Sequence, residues 1–210
     1  MLICPYALVV KWISHRSSEP LLGVRIPPRA HLKAYFVTIM KIPTEALNVA
    51  TKLQNAGFKA YFVGGCVRDL LLKRNPKDWD VATDATPEEI QSIFPDSFYE
   101  NTFGTVGVKV DGEVDETLKV IEVTPFRLES EYSDFRRPDT VTFSKNLEDD
   151  LQRRDFTINA LALDPVTKNI IDLYKGQEDL KDKIVRTVGD ATERFSEDAL
   201  RMLRAVRIST

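Results

Sequence analysis

The stretch Val63–Asp84, VGGCVRDLLLKRNPKDWDVATD, constrains the fold more than any other part of the chain. Gly64 and Gly65 end an apolar run at 58–63 that is typical of a strand, and the residues from Cys66 onward have helical spacing. A glycine pair between a strand and a helix lets the backbone approach a ligand closely and directs helix amide groups toward it, which suits phosphate. The stretch therefore predicts a strand–turn–helix unit at a phosphate site, although glycine pairs also end many strands for steric reasons alone.

Two aspartates, Asp78 and Asp80, follow in the short run DWDVA. On a strand, residues two apart leave the same face, so we predict that both carboxylates project side by side from a strand. Adjacent carboxylates are unfavourable unless a positive group lies between them, and Mg²⁺ prefers a few carboxylates together with substrate phosphates. We predict a Mg²⁺ site here, with a solvated edge strand as the alternative. Glu122 is a candidate third carboxylate, which a solvent-facing strand position explains equally well.

Composition describes an ordinary globular chain of 210 residues, with 43% hydrophobic and 29% charged residues. No apolar run approaches the roughly 20 residues that a membrane span needs, so we expect no membrane partner. Cys4 and Cys66 lack His or Cys neighbours at ligand spacing, which argues against a disulfide framework or a zinc site and fits a cytoplasmic location. With a net charge of -3, the chain would have to bind nucleic acid through local Arg clusters.

Residues 1–39 differ in charge character from the rest of the chain, since they carry five Lys or Arg residues and a single acid, Glu19. We interpret this segment as a non-native or disordered extension, with Met40 as a credible start before the first patterned helix. An organellar transit peptide remains an alternative because the segment contains Arg and Ser and few acids. A secretory signal is disfavoured because the segment lacks a basic leader and a clear cleavage site.

From residue 43 onward, helical and strand patterns alternate without repeats. The helices are predicted at 44–56, 66–74, 86–94, 147–162, 177–181 and 190–208, the last with a bend near Phe195 as an alternative. Strands are predicted at 58–63, 78–82, 105–110, 118–124, 170–173 and 183–188, and the polar segment 127–145 is predicted to be a long mobile loop. This mixture indicates an α+β or α/β fold with a core of about five strands.

Two Arg-bearing segments interrupt the later helical patterns. Arg153, Arg154 and Asp155 lie between apolar residues, which favours partial burial over a surface charge run. Near the end of the chain, charged residues at helical spacing form one stripe opposite an apolar face, and a solvated face with internal salt bridges is the alternative. The stripe comprises Asp198, Arg201, Arg204 and Arg207.

Together, GGCVRDLLLKRNPKDWDVATD, RRDFTINALALD and EDALRMLRAVR resemble the class II tRNA nucleotidyltransferase and bacterial poly(A) polymerase family. The motifs agree in type, order and spacing over residues 60–207. The resemblance implies an α+β nucleotidyltransferase head of the DNA polymerase β type, with a mixed sheet, at residues 40–165. Residues 166–210 would then form the head-to-neck region and the truncated start of a helical, RNA-binding neck.

The resemblance also implies roles for single residues. Asp78 and Asp80 match the catalytic carboxylates that bind metal, and Glu122 remains a candidate third ligand. Gly65 and Arg68 match positions that bind the triphosphate of the nucleotide.

Further matches concern the sugar and the base. Arg154 matches a position that contacts the nucleotide, and Asp155 matches the position that reads the ribose. Asp198 and Arg201 match the pair that selects the incoming base through its Watson–Crick edge. Further nucleotide contacts are matched by Arg204 and Arg207, and 127–145 falls where the family has a flexible loop that helps switch specificity.

The implied activity is template-independent addition of C and/or A to the 3′ end of tRNA, from CTP and ATP, with Mg²⁺. A poly(A) polymerase shares these motifs and remains open. A non-catalytic nucleotide-binding module is a third alternative, against which Asp78 and Asp80 argue, and the chain lacks the Gly-Lys-Ser/Thr of a P-loop NTPase. Because neck, body and tail domains hold the tRNA in the family, we expect a chain that stops at Thr210 to be a fragment.

Overall fold

Short segments rich in β-branched and aromatic residues form the strands of this chain in the computed structural model, which describes residues 41–100, 103–112, 114–129 and 140–209. All of these residues belong to one compact unit, Val37–Thr210. The predicted extension at 1–39 lies outside the described residues. The strands are β1 (Ala60–Val63), β2 (Asp80–Thr83), β3 (Ser97–Tyr99), β4 (Val106–Lys109), β5 (Val120–Pro125), β6 (Arg127–Glu129), β7 (Val141–Phe143), β8 (Leu161–Leu163) and β9 (Ile170–Asp172).

The helices are short, and their ends follow local sequence signals. The start of α3 confirms the predicted helix start: the Glu89 N–H donates to Thr86 Oγ1 over 3.3 Å, the Thr86 N–H donates to Glu89 Oε2 over 2.7 Å, and Pro87 is the first helical residue. The helices are α1 (Thr44–Asn55), α2 (Gly65–Leu71), α3 (Pro87–Ile93), α4 (Leu147–Gln152), α5 (Gly176–Asp182), α6 (Ala191–Glu197) and α7 (Leu200–Ser209), with 3₁₀ turns at Glu116–Leu118 and Thr157–Asn159. None of these helices is long and apolar enough to cross a membrane.

Seven strands form one mixed sheet in the order β3–β4–β5–β2–β1–β8–β9. Strands β2 and β5 are parallel, with Asp80 opposite Glu122, and the other neighbouring pairs are antiparallel. This arrangement confirms the predicted α+β class with a mixed sheet. The predicted count of about five strands was too low, because β3 and β8 have three residues each and show no pattern that distinguishes them from loop or helix.

Apolar side chains cover both faces of the sheet, because neighbouring residues of a strand point to opposite sides. Phe62 of β1 is fully buried in the larger cluster, with Val81, Ile90 and Ile121, on the side covered by α1 and α3. The next residue, Val63, packs on the other side with Phe126, Leu151 and Ala162. This two-sided core fixes the ends of β1 and β2, from which the candidate site projects.

The segment 147–162 is not one helix, so that prediction was wrong. Helix α4 ends at Gln152, and the next amides find partners outside a helical ladder: Phe156 N–H donates to Asp155 Oδ1 over 2.8 Å, and Thr157 N–H donates to the Arg186 carbonyl over 2.9 Å. Strand β8 then pairs with β1 and β9. Those partners are distant in sequence, so local helical spacing does not reveal them.

Three further predictions need correction. The ends of the predicted loop 127–145 form the hairpin β6–β7, with Arg127 opposite Phe143, while residues 130–139 lie outside the described part of the chain. The predicted strand at 183–188 makes a single bridge, Phe156 to Thr187. The C-terminal segment is two helices, as the alternative proposed, but the break lies at Asp198, whose Oδ1 accepts from Leu200 N–H over 2.9 Å at the start of α7.

Candidate active site

A cleft of about 1280 Å³ opens where α2, the start of β2, the segment after α4 and helix α7 meet. Ten of the eleven residues predicted from the sequence line it, and Glu122 does not. Those ten are Gly65, Arg68, Asp78, Asp80, Arg154, Asp155, Asp198, Arg201, Arg204 and Arg207. The fold thus brings together residues that are more than 140 positions apart in the sequence.

The cleft has the opposite charge balance from the chain as a whole. Ten Lys or Arg residues and six Asp residues line it, although the chain carries a net charge of -3. A concave surface with clustered cations concentrates anions. The arrangement can therefore hold a polyphosphate, and the acidic residues at its base can hold the cation that accompanies one.

Gly64 provides the sharp turn between β1 and α2. Its φ of 76° and ψ of −132° lie where a residue with a side chain is strained, and a Cβ there would come within 2.9 Å of Arg154 Nη1 and 3.8 Å of Asp80 Oδ2. At Gly65, by contrast, a Cβ would make an ordinary 3.7 Å contact with Arg68 Nη2. The family resemblance points to Gly65, whereas the structure requires glycine at Gly64; the double glycine in the sequence is the signal for both.

The two aspartates enter the cleft from the N-terminal end of β2. Asp80 is the first residue of the strand, whereas Asp78 lies in the bend before it, so the prediction that both are on a strand was wrong. Burial raises the pKa of Asp80, Arg154 opposes that rise, and the charge of Asp78 adds to it. A buried carboxylate whose ionisation is disfavoured by burial and by a neighbouring negative charge is the environment that a divalent cation relieves.

Glu122 lies on the neighbouring strand, opposite Asp80 in the parallel register. Burial raises the pKa of Glu122 to about 7, and the negative charges of Asp80, Glu100 and Asp78 contribute further. The carboxyl group is therefore close enough to sense the aspartates although it does not line the cleft.

The donor set fits Mg²⁺. Across the described ranges, no group of three or more His, Cys, Asp or Glu side chains is arranged to hold a metal. Mg²⁺ does not need such a group, because it is commonly bound by one or two carboxylates together with substrate phosphates and waters. Asp78 and Asp80 supply two carboxylates within a cation-lined cleft. The remaining ligands would come from the phosphates of a nucleotide.

Cys66 is buried beside this acidic pair and is not a reactive thiol. Burial raises its pKa to about 12, with a further contribution from the charge of Asp80, and its Sγ donates to the Val63 carbonyl over 3.2 Å. Cys66 is therefore a small buried residue of α2.

Asp150 orients the Arg pair that follows α4. Its fully buried carboxylate accepts from Arg153 Nη2 at 2.7 Å and from Arg154 Nη2 at 2.8 Å. Burial alone would raise the pKa of Asp150, but the charges of Arg154 and Arg153 and their hydrogen bonds hold it below its usual range. Sequence reasoning missed Asp150, whose signal was an acid three and four residues before two arginines.

Asp155 connects this segment to α7. Its Oδ2 accepts from Arg204 Nε over 2.7 Å, and its Oδ1 accepts from Asn159 Nδ2 over 3.0 Å. Burial would raise the pKa of Asp155, but the charge of Arg204 and the hydrogen bonds from Asn159, Arg204 and Phe156 N–H lower it. The residue is therefore an ionised acceptor at neutral pH, held from both sides.

Asn159 also reaches α2, because its Oδ1 accepts from Arg68 Nη1 over 2.7 Å. Arg68 additionally donates to Asp69 Oδ1, with Nη2 at 2.9 Å. Sequence reasoning did not select Asn159, because an isolated Asn in a mixed segment carries no local signal.

Helix α7 directs its charged side toward the cleft, and Arg201 is its buried member. Arg201 is only 6% exposed; it forms an ion pair with Glu197 and donates to the Arg194 carbonyl over 3.1 Å. The opposite, apolar side faces solvent, with Leu203 67% exposed. The alternative prediction, that the charged stripe is a solvated face, is therefore wrong for Arg201.

Comparisons with known proteins agree with this geometry. Residues 60–186, more than half of the chain, match the family described as "Poly A polymerase head domain". The chain is 53% identical over 172 residues to a CCA-adding enzyme of Lactobacillus delbrueckii subsp. bulgaricus, and 50% identical over 170 residues to a CCA-adding enzyme of Geobacillus stearothermophilus. These matches cover 81% and 80% of this chain and 42% and 40% of those proteins, so the chain spans about two fifths of their length.

Solved structures give the same assignment. The CCA-adding enzyme of Bacillus stearothermophilus in complex with CTP is 47% identical with a TM-score of 0.67, and the match covers 78% of this chain and 38% of that one. A tRNA nucleotidyltransferase complexed with a primer tRNA and an incoming ATP analogue is 31% identical with a TM-score of 0.59, over 77% of this chain and 44% of that one. The family match, the relatives and the shared fold together show that this chain belongs to the poly A polymerase head domain family, which it shares with CCA-adding enzymes.

Proposed function

We propose that this chain carries the catalytic head of a tRNA nucleotidyltransferase, which adds C and A from CTP and ATP to the 3′ end of tRNA. The observation that carries the proposal is the cleft itself, where two aspartates, a glycine turn and the Arg-bearing faces of two segments meet. The names of the similar proteins support the same reaction, since they are CCA-adding enzymes, one of them in complex with CTP.

In this proposal the aspartates hold the metal and the cations hold the triphosphate. Asp78 and Asp80 would hold Mg²⁺, which, when bound, polarises phosphate oxygens and lowers the pKa of an attacking hydroxyl. Arg68 and Arg154 contact the phosphates beside Gly65, which directly follows the turn at Gly64. Fixed cations around the reacting phosphate stabilise the charge that accumulates on its oxygens as the RNA 3′-hydroxyl attacks and pyrophosphate leaves.

The other end of the cleft selects the nucleotide. Asp155 accepts a hydrogen bond from the ribose, and Arg204 and Arg207 on α7 contact the nucleotide further along. Asp198 and Arg201 read the Watson–Crick edge of the base; the many hydrogen bonds of Arg201 keep its guanidinium in one orientation. A guanidinium held in one orientation discriminates among bases because it favours only an edge whose acceptors lie in the matching direction.

The proposal is tested by incubating the chain with Mg²⁺, tRNA that lacks its 3′-terminal CCA, and each labelled nucleotide in turn. Incorporation from CTP and then ATP, but not from UTP or GTP, is the expected result. Incorporation from ATP alone would indicate the second candidate, a poly(A) polymerase, which the name of the matched family favours. Failure to incorporate or bind any nucleotide would contradict both.

Two aspartate variants make the assay specific for the metal site. Asp78→Ala removes a carboxylate from the cleft and should abolish transfer without loss of folded structure. Asp96→Ala removes an exposed carboxylate outside the cleft and should leave transfer unchanged. Transfer by Asp78→Ala at the rate of Asp96→Ala would contradict the metal assignment.

A further inference from the structure

A continuous chain of side-chain hydrogen bonds crosses the floor of the cleft. Arg68 Nη1 donates to Asn159 Oδ1 over 2.7 Å, Asn159 Nδ2 donates to Asp155 Oδ1 over 3.0 Å, and Arg204 Nε donates to Asp155 Oδ2 over 2.7 Å. The chain starts on α2, passes through the 3₁₀ turn Thr157–Asn159, and ends on α7. It therefore joins the phosphate end of the proposed site to its sugar and base end.

Asn159 is the one member of this chain that both donates and accepts. Arg68 has only donors and an ionised Asp155 has only acceptors, so the amide oxygen must face the arginine and the amide nitrogen must face the carboxylate. Asn159 is 5% exposed and Asp155 is 8% exposed, so water competes little for either group. Both hydrogen bonds involve a charged partner, the stronger class.

The turn that carries Asn159 is itself fixed from the opposite side. Thr157 Oγ1 donates to Asp179 Oδ2 over 2.6 Å, and Thr157 N–H donates to the Arg186 carbonyl over 2.9 Å. Thr157 is 2% exposed. The backbone of the turn is thus anchored, and the orientation of the Asn159 amide is determined by the two charged groups it bridges.

We propose that Asn159 is a positioning residue that couples Arg68 to Asp155. It thereby fixes the position of the group that binds the triphosphate relative to the group that binds the ribose. The inference rests on the proposed function and deepens it. Asn159 acts through its two neighbours, because it accepts a hydrogen bond from Arg68 and donates one to Asp155. Loss of the Asn159 amide would leave Arg68 and Asp155 in the cleft, but their side chains would no longer be held at a fixed distance from each other.

The most direct test measures dissociation constants for CTP in the presence of Mg²⁺. Asn159→Leu has similar volume and forms neither hydrogen bond, and we expect it to weaken CTP binding about tenfold, the factor that corresponds to about 1.4 kcal/mol. Asn159→Asp retains an acceptor for Arg68 but has no donor for Asp155, and we expect a comparable loss. It replaces Asn159→Leu as the test if the apolar variant does not fold.

A double-mutant cycle separates coupling from a merely structural role. Arg68→Ala and Arg204→Ala remove the two ends of the chain, and their effects on CTP binding should be non-additive when Asn159 is present. In the Asn159→Leu background the same two effects should add within about twofold, as they do for independent sites.

Thr157→Val is the matched control. It removes a buried hydrogen bond from the same turn but contacts neither Arg68 nor Asp155 in this network, so non-additivity should persist. Non-additivity that survives in both Asn159→Leu and Asn159→Asp would overturn the inference while leaving the proposed function intact. Absence of CTP binding by the unsubstituted chain would overturn the proposed function and, with it, this inference.

Discussion

Replacement of Gly64 by Ala tests whether the turn into the cleft has the conformation described here. The backbone at Gly64, with φ of 76° and ψ of −132°, lies in a region that is unfavourable for alanine by about 1–3 kcal/mol. The new Cβ would also lie 2.9 Å from Arg154 Nη1, and that guanidinium cannot retreat freely because Asp150 holds it. Partial loss of the Arg154–Asp150 contact adds about 1 kcal/mol, given that a charged hydrogen bond contributes about 1.5–3 kcal/mol.

We therefore expect Gly64→Ala to lower the free energy of unfolding by about 2–4 kcal/mol. For a chain of this size each kcal/mol shifts Tm by about 2–4 °C, so the expected fall is roughly 5–15 °C by calorimetry. Gly65→Ala is the matched control, because its Cβ would make an ordinary contact and the position is the first of α2. It should stay within about 1 kcal/mol of the parent, since alanine favours helix. Equal Tm values for the two variants would refute the reasoning.

Two further predictions concern buried acids. Asp80→Asn removes a carboxylate charge that burial and, to a smaller extent, Asp78 disfavour, so it should raise Tm while abolishing Mg²⁺-dependent CTP binding; a lower Tm would show that the attraction of Arg154 outweighs both effects. Asp150→Asn leaves Arg153 and Arg154 without their buried counter-ion and should destabilise the fold by about 3–5 kcal/mol in urea titrations at pH 7. The folded pKa of Asp150 is below its unfolded value, so its contribution to stability is complete above the unfolded pKa and is lost as pH falls through the folded pKa. The difference in free energy of unfolding between the parent and Asp150→Asn should therefore become smaller in acid.

Local signals predicted the elements that depend on local contacts. The helix start at Thr86, with Pro87 next and acids in the first turn, is readable from the sequence because all its partners lie within four residues, and the structure adds that Glu89 bonds back to the Thr86 N–H. The break after Val63 was readable because two glycines follow a short apolar run. The same holds for the type of fold, since alternating short helices and strands without repeats indicate a mixed sheet.

Elements that depend on distant partners were not predictable from local pattern. For strand β8, three residues of LAL, the sequence predicts helix, because nothing nearby reveals its pairing with β1 and β9. The spacing between Asp78 and Asp80 predicts that both lie on a strand, although the strand begins only where β5 supplies partners, at Asp80 itself. Likewise, Asn159 acquires its role from Arg68, ninety-one residues earlier, which no window of sequence contains.

Titration calorimetry of the chain with CTP, ATP, UTP and GTP, each with Mg²⁺, tests the central claim most directly. If the cleft holds a metal–triphosphate at Asp78 and Asp80 and reads the base from α7, CTP and ATP should bind at least about tenfold more tightly than UTP and GTP, a difference of about 1.4 kcal/mol. Binding should also disappear when Mg²⁺ is chelated. Equal affinity for all four nucleotides, or binding that is indifferent to Mg²⁺, would contradict the account.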